Sequence, residues 1–234
     1  MKQTILLLIA ILLALGSSLS AAEPTIKKPF NGTNFDGWTF RTSNNDNCWT
    51  IANITADAAA IENLPAMVNL TGADWNKANP RKGVDIITNE KFGDCTIKLE
   101  LLIPKGSNSG IYLMGRYEVQ VADSFGKSDD RLGQGDMGAI YSAAKPSTNA
   151  CAAPGTWQKF EIEFVAPKFD AAGNKTANGL FKKITLNGKV IQENVQVEKP
   201  TGGEIDTKEA ATGPLMLQGD HGPVAFRNIE IIVP

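Results

Sequence analysis

Between Trp157 and Val165 the chain alternates without a break: Phe160, Ile162 and Phe164 are apolar, Glu161 and Glu163 are charged. That is the period of a strand with one dry and one wet face. The same period runs through 92–103, where Ile97, Leu99 and Leu101 stand opposite Lys98 and Glu100. No segment sustains a helical period for three turns. Further short strands are predicted at 49–51, 111–114, 117–122, 139–141, 182–186, 189–191, 215–218 and 225–233. Asn187-Gly188, between two of them, is the strongest hairpin signal in the chain. Residues 30–38 read as turns with aromatic anchors, 55–83 show no clear period, and 123–138 read as a long polar loop. The 22 glycines and 12 prolines punctuate the chain often, which favours short strands over helices. Many short strands with frequent turns predict an all-β sandwich or barrel, most simply a jelly roll.

The start of the chain is read separately. Met1 to Thr4 is short and basic, Ile5 to Leu15 is apolar, and Ser20-Ala21-Ala22 offers small residues at cleavage spacing. This predicts a signal peptide at 1–22, a periplasmic or secreted product, and one domain at 23–234. No other long apolar run follows, so no membrane partner is expected after cleavage. With 23 basic and 25 acidic residues the net charge is −2 and no basic stripe is visible, which argues against nucleic acid.

Several motifs are weighed and set aside. Gly133 to Gly138 spells G-x-G-x-x-G, but a loop precedes it and Ala139-Ile140-Tyr141 follows, so no nucleotide cofactor is expected. Cys48, Cys95 and Cys151 lack a C-x-x-C pair, which excludes a zinc knuckle; one disulfide or isolated buried thiols both stay open. His221 is the one histidine, which excludes H-E-x-x-H chemistry. Asp123, Asp129, Asp130 and Asp136 lack the EF-hand spacing and read better as a solvated loop than a calcium site. Sequons at Asn31, Asn53, Asn69 and Asn174 matter only in a glycosylating host.

Two segments carry candidate chemistry. In Tyr117 to Ala122, alternation places Glu118 and Gln120 on one face and Tyr117, Val119 and Val121 on the other. A carboxylate beside an amide on a strand face marks a wet cleft or a satisfied polar network. In Gln218-Gly219-Asp220-His221-Gly222, a histidine between glycines follows an apolar strand, where backbone and ligand can approach closely. Arg227-Asn228 could pair a carboxylate or form a turn. Trp38 and Trp157 could stack on sugar rings, with a core role the stronger default.

The ordered set resembles the 3-keto-disaccharide hydrolase family, whose members include 3-keto-glucoside lyases and hydratases. The matching residues are Phe30-Asn31-Gly32, Gly37-Trp38, Asn108-Ser109-Gly110 with Ile111-Tyr112-Leu113, Tyr117-Glu118-Val119-Gln120 with Asp123, and Gly138 to Tyr141. Trp157, Asn187-Gly188, Leu217-Gln218 with His221-Gly222, and Phe226 to Ile229 complete them. The resemblance implies a concanavalin A-like jelly roll of two antiparallel sheets, and extracytoplasmic carbohydrate chemistry. The stretches 55–83 and 166–180 depart from the pattern and could reshape the cleft.

The implied chemistry needs a base for the acidic hydrogen at C2 of a 3-keto sugar, a stabiliser for the enolate, and an acid for the leaving oxygen. Glu118 and His221 are the acid/base candidates. Asn108, Gln120, Tyr141, Trp157, Gln218 and Arg227 are the substrate-binding candidates. A divalent metal held by Asp123, Glu118 and His221 would supply Lewis-acid help. The partner is a carbohydrate, and a separate sugar 3-dehydrogenase must make the ketone. Two alternatives share the fold: a lectin-like binding module, and a laminarinase-type hydrolase. The latter would carry Glu-x-Asp-x-x-Glu where this chain has Glu118, Gln120 and Asp123.

Overall fold

The computed structural model of the chain describes residues 23–42, 47–54, 64–70 and 83–234. The leader predicted at 1–22 lies outside the described residues. Among those residues the regular structure is strand, apart from one 3-10 turn at Asp129–Arg131. In chain order the strands are β1 (Thr25–Lys27), β2 (Trp38–Phe40), β3 (Trp49–Asn53), β4 (Pro65–Asn69), β5 (Ile86–Phe92), β6 (Cys95–Leu102), β7 (Asn108–Leu113) and β8 (Tyr117–Ala122). There follow β9 (Gln158–Val165), β10 (Lys168–Phe169), β11 (Lys175–Ala177), β12 (Gly179–Leu186), β13 (Lys189–Val197), β14 (Gly213–Leu217) and β15 (Val224–Val233).

The larger sheet runs β13-β12-β9-β6-β15-β4-β3, with β1 also paired to β15. The smaller sheet runs β2-β5-β14-β7-β8. Strand pairing is antiparallel throughout both sheets. The alternating residues define what lies between them. Phe160, Ile162 and Phe164 of β9 and Ile97, Leu99 and Leu101 of β6 join Ile111, Leu113, Tyr117, Val119 and Val121 in one buried cluster. Two sheets sharing one apolar interior form a jelly-roll sandwich, as the strand pattern predicts. Trp38 and Trp49 belong to that interior, and Trp49 stacks on Phe226.

The hairpin signal gives a tight turn. Asn187 and Gly188 both take positive φ, 52° and 81°, and Leu186 pairs with Lys189. That is the twist a two-residue hairpin needs. Three expectations are corrected. Residues 139–141 are not a strand; Ile140 makes isolated bridges to Val119 and Ala144. Strand β4 runs through the stretch that shows no period, while 55–63 and 71–82 lie outside the described residues. Strand β5 went unpredicted because Asn89-Glu90-Lys91 breaks its alternation. The departure at 166–180 contains the separate β10–β11 hairpin. Cys95 is buried, and burial pushes its thiol up to about 12, so it behaves as a small apolar side chain.

Candidate functional site

Side chains that point away from the core on the smaller sheet build the site. Register aligns Ile87 of β5, Met216 of β14, Tyr112 of β7 and Glu118 of β8 across four strands. One step along, the amide of Gln218 donates to the Gly110 carbonyl at 2.9 Å, and Gly110 pairs with Gln120. This face opens into a cavity of about 550 Å³ lined by Asn108, Tyr112, Glu118, Gln120, Tyr141, Gly202, Gly203, Gln218 and His221. Six of the eight sequence-predicted catalytic and substrate-binding residues therefore meet in one place. A groove of about 470 Å³ on the larger sheet is lined by Lys98, Glu100, Lys159 and Glu161. Its charges pair with each other, Lys98 with Glu161 and Lys159 with Glu100, each at 3.5 Å, as on a solvated face.

Glu118 is 3% exposed. Burial pushes its carboxyl up from 4.5 to about 7; the Tyr112 hydroxyl and the His221 charge pull the other way, and Asp85 and Asp220 add to the rise. The Tyr112 hydroxyl donates to Glu118, and burial raises its own pKa. Gly110 makes this packing possible. A Cβ there would sit 2.4 Å from a Glu118 carboxylate oxygen and 2.8 Å from the Tyr112 ring. The Tyr112 contact yields a pH prediction. Removing the hydroxyl that favours ionised Glu118 leaves the carboxyl harder to ionise. Tyr112→Phe is therefore expected to move the rising limb of kcat/KM against pH upward from about 7. An unmoved limb in a full pH profile would separate Tyr112 from the titration of Glu118.

His221 sits on the loop after β14, and its Nδ1 bonds the Asp220 carboxylate. The loop is held from both sides. The Gly219 amide donates to Asp85 Oδ1 at 2.9 Å, and the Asn69 side-chain amide donates to the Gly219 and Gly222 carbonyls at 2.8 and 3.2 Å. Asp85 also pairs with Arg41 at 3.0 Å. Arg41 in turn donates to the carbonyls of Gly203, which also lines the cavity, and Glu204 at 2.8 and 2.6 Å. One Arg–Asp pair thus links the His221 loop to the segment at 203–204. Burial raises the Asp85 pKa, opposed by its Gly219 and Arg41 bonds. In the cavity lining, the Gln218 side-chain carbonyl oxygen is buried without a protein partner. Its amide donates to the Tyr112 hydroxyl at 3.4 Å. A buried acceptor left over suits a ligand hydroxyl.

Three expected site residues lie elsewhere. Arg227 of β15 donates to Glu100 at 2.7 Å and lies 4.0 Å over the Trp157 ring. Both belong to the outer face of the larger sheet, beside the small apolar cluster of Ala66, Val68, Leu102 and Ala225. Their chemistry is a structural cation–π contact there. Asp123 accepts the Gly106 and Phe125 amides at 2.9 and 3.3 Å and does not line the cavity. Asp136 likewise bonds within its loop, accepting the Gly133 amide, and Asp129 accepts the Asn149 amide of the neighbouring segment. Among the described residues no three His, Cys, Asp or Glu side chains come together to hold a metal ion. The donor set of Asp123, Glu118 and His221 does not fit one. Sequence reading missed Arg41, Asp85, Gly202 and Gly203, and it gave Tyr112 and Asp220 no role although both stand in its motifs. Tyr112 was recoverable, since it alternates with Asn108 and Gly110 on the face opposite Ile111 and Leu113. The Arg41–Asp85 pair joins residues with no shared local motif, and only the fold reveals it.

A cavity lined by polar side chains, among them a buried carboxyl and a histidine, is the candidate small-molecule site of this jelly roll. Residues 25–232 match the family model described as a 3-keto-alpha-glucoside-1,2-lyase-like domain, and the chain belongs to that family. It is a carbohydrate-active, glycosyl-hydrolase-like protein. A candidate glycosyl hydrolase from Parabacteroides distasonis ATCC 8503 is 27% identical over 90% of this chain and 83% of that one, with a TM-score of 0.61. A second from the same organism is 18% identical, covers 89% and 94%, and has a TM-score of 0.60. That second likeness shows the fold. No curated protein matches the chain.

Proposed function

We propose that the chain cleaves 3-keto-glycosides by elimination, and that the leader at 1–22 directs it to the periplasm or beyond. The observation that carries this reading is the buried Glu118 carboxyl, held near pKa 7 in the cavity that His221 lines. A ketone at C3 acidifies the C2 hydrogen. Ionised Glu118 takes that proton, and the electron pair forms the C2–C3 enolate. His221, held at Nδ1 by Asp220, serves through Nε2 as the hydrogen-bond donor to the enolate oxygen. The C3 carbonyl then re-forms, a C1–C2 double bond forms, and the C1–O bond breaks. The leaving oxygen takes the proton held by Glu118. Water added across the resulting glycal would complete hydrolysis. No oxocarbenium ion arises, so a second carboxylate at fixed separation is not needed. The orphaned Gln218 oxygen, Asn108 and Gln120 hold sugar hydroxyls.

The test is incubation of purified protein with 3-keto-trehalose and a 3-keto-β-glucoside, reading released glucose or aglycone. Release from at least one is expected. His221→Asn should lower kcat by about 100-fold or more while the melting temperature stays near wild type. Sugar binding without release would overturn the reading in favour of a lectin-like module.

A further inference from the structure

The β10–β11 hairpin pairs with neither sheet, yet its Lys175 reaches the segment after β13. Lys175 of β11 donates to the Glu198 carbonyl at 2.6 Å and to Glu209 Oε2 at 2.7 Å. The other Glu209 oxygen accepts the Tyr117 hydroxyl from the core. Lys175 thereby ties down the segment that leaves β13. The end of β13 and that segment, from Gln196 to Thr201, wall a second cavity of about 260 Å³ that Tyr141, Ser142 and Ala143 also line.

Tyr141 lines both cavities. It is 40% exposed, and the ring lies against Gly202. The second cavity adjoins the Glu118 flank of the first. Two of its lining residues bond the Glu118 main chain: the Tyr141 amide donates to the Glu118 carbonyl at 3.1 Å, and the Glu118 amide donates to Thr201 Oγ1 at 2.9 Å.

We propose that this second cavity receives the group that leaves C1, and that Lys175 is a positioning residue that sets which leaving groups fit. The proposal rests on the elimination reading above. C1 adjoins the carbon whose proton goes to Glu118, so the departing oxygen starts beside that carboxyl. The group attached to it must extend away from the first cavity on the same flank, where Tyr141 stands. Ser142, Gln196, Glu198 and Lys199 border that space with polar groups, which suits a hydroxylated leaving group over an apolar one.

Two variants test it in the full chain. Lys175→Met keeps the stem and removes both hydrogen bonds; Ala143→Trp fills the cavity from an exposed position. The reading is the ratio of kcat/KM for a 3-keto-disaccharide to that for methyl 3-keto-glucoside. Each variant is expected to lower the ratio tenfold or more, chiefly through KM for the disaccharide. An unchanged ratio in folded Ala143→Trp overturns the proposal, whatever Lys175→Met does to stability. If wild-type protein turns over neither substrate, the elimination reading fails, and calorimetry still decides the cavity. A disaccharide that binds more tightly than its monosaccharide, with the advantage lost in Ala143→Trp, supports it; no advantage overturns it.

Discussion

Glu118→Gln is expected to lower turnover by about 10³-fold and, above pH 7, to raise the melting temperature. The first effect follows from the loss of the proton acceptor. The second follows from what the native carboxylate costs. Its folded pKa of about 7 stands above the 4.5 of an exposed carboxyl. The folded state therefore holds its proton more tightly than the unfolded state. Stability falls as pH rises through that interval, and the full cost is present above pH 7. The interval corresponds to on the order of 3 kcal/mol. Glutamine keeps the shape, still accepts from Tyr112, and carries no charge to bury. Thermal melts should nearly coincide near pH 5 and separate by several degrees at pH 8, the variant being the more stable. A variant less stable than wild type at pH 8 would show that the carboxylate is better solvated than its burial implies. A gain in stability with a loss in activity is the signature of a group retained for chemistry.

Gly219→Ala is expected to cost on the order of 3–5 kcal/mol and most of the activity together. The added Cβ would lie 2.0 Å from the Val84 carbonyl oxygen and 2.8 Å from the Trp49 indole nitrogen. Those two atoms bond each other at 2.7 Å. Backbone must move, and the indole bond is disturbed with it. The same shift drags the Gly219 amide from Asp85 and carries Asp220 and His221 along. Chemical denaturation curves and turnover on the same preparation would check both effects. A variant with wild-type stability would show that the loop relaxes without cost.

Legibility in the sequence followed how local the information is. The strands with unbroken alternation, β6 and β9, were readable because one face meets the core and the other is open to water. Within β8, Glu118 and Gln120 were placed on the correct face by period alone. Strand β2 was not readable because three residues carry too little pattern. Trp157 and Arg227 looked like ligand residues by type, but type does not say which sheet a strand joins. β15 lies in the larger sheet and β14 in the smaller, although only a short loop separates them. The supports of the site, Arg41 and Asp85, draw on partners more than a hundred residues away.

Among the described residues strand β8 is the last in its sheet, and no strand covers its outer side. Residues 138–141 take that place: the Gly138 and Tyr141 amides donate to the Gln120 and Glu118 carbonyls, and the Gln120 amide donates to Ala139. An uncovered strand border is where another molecule can add itself by main-chain pairing, and burying those groups in a loop prevents it. The loop that places Tyr141 between the two cavities is therefore also a guard against self-association. Selection for a new leaving group that reshaped this loop would bare main-chain donors and acceptors next to Glu118. Variants with altered substrate range should be sought together with changes that preserve those three bonds, or they will be lost as aggregates before their activity is seen.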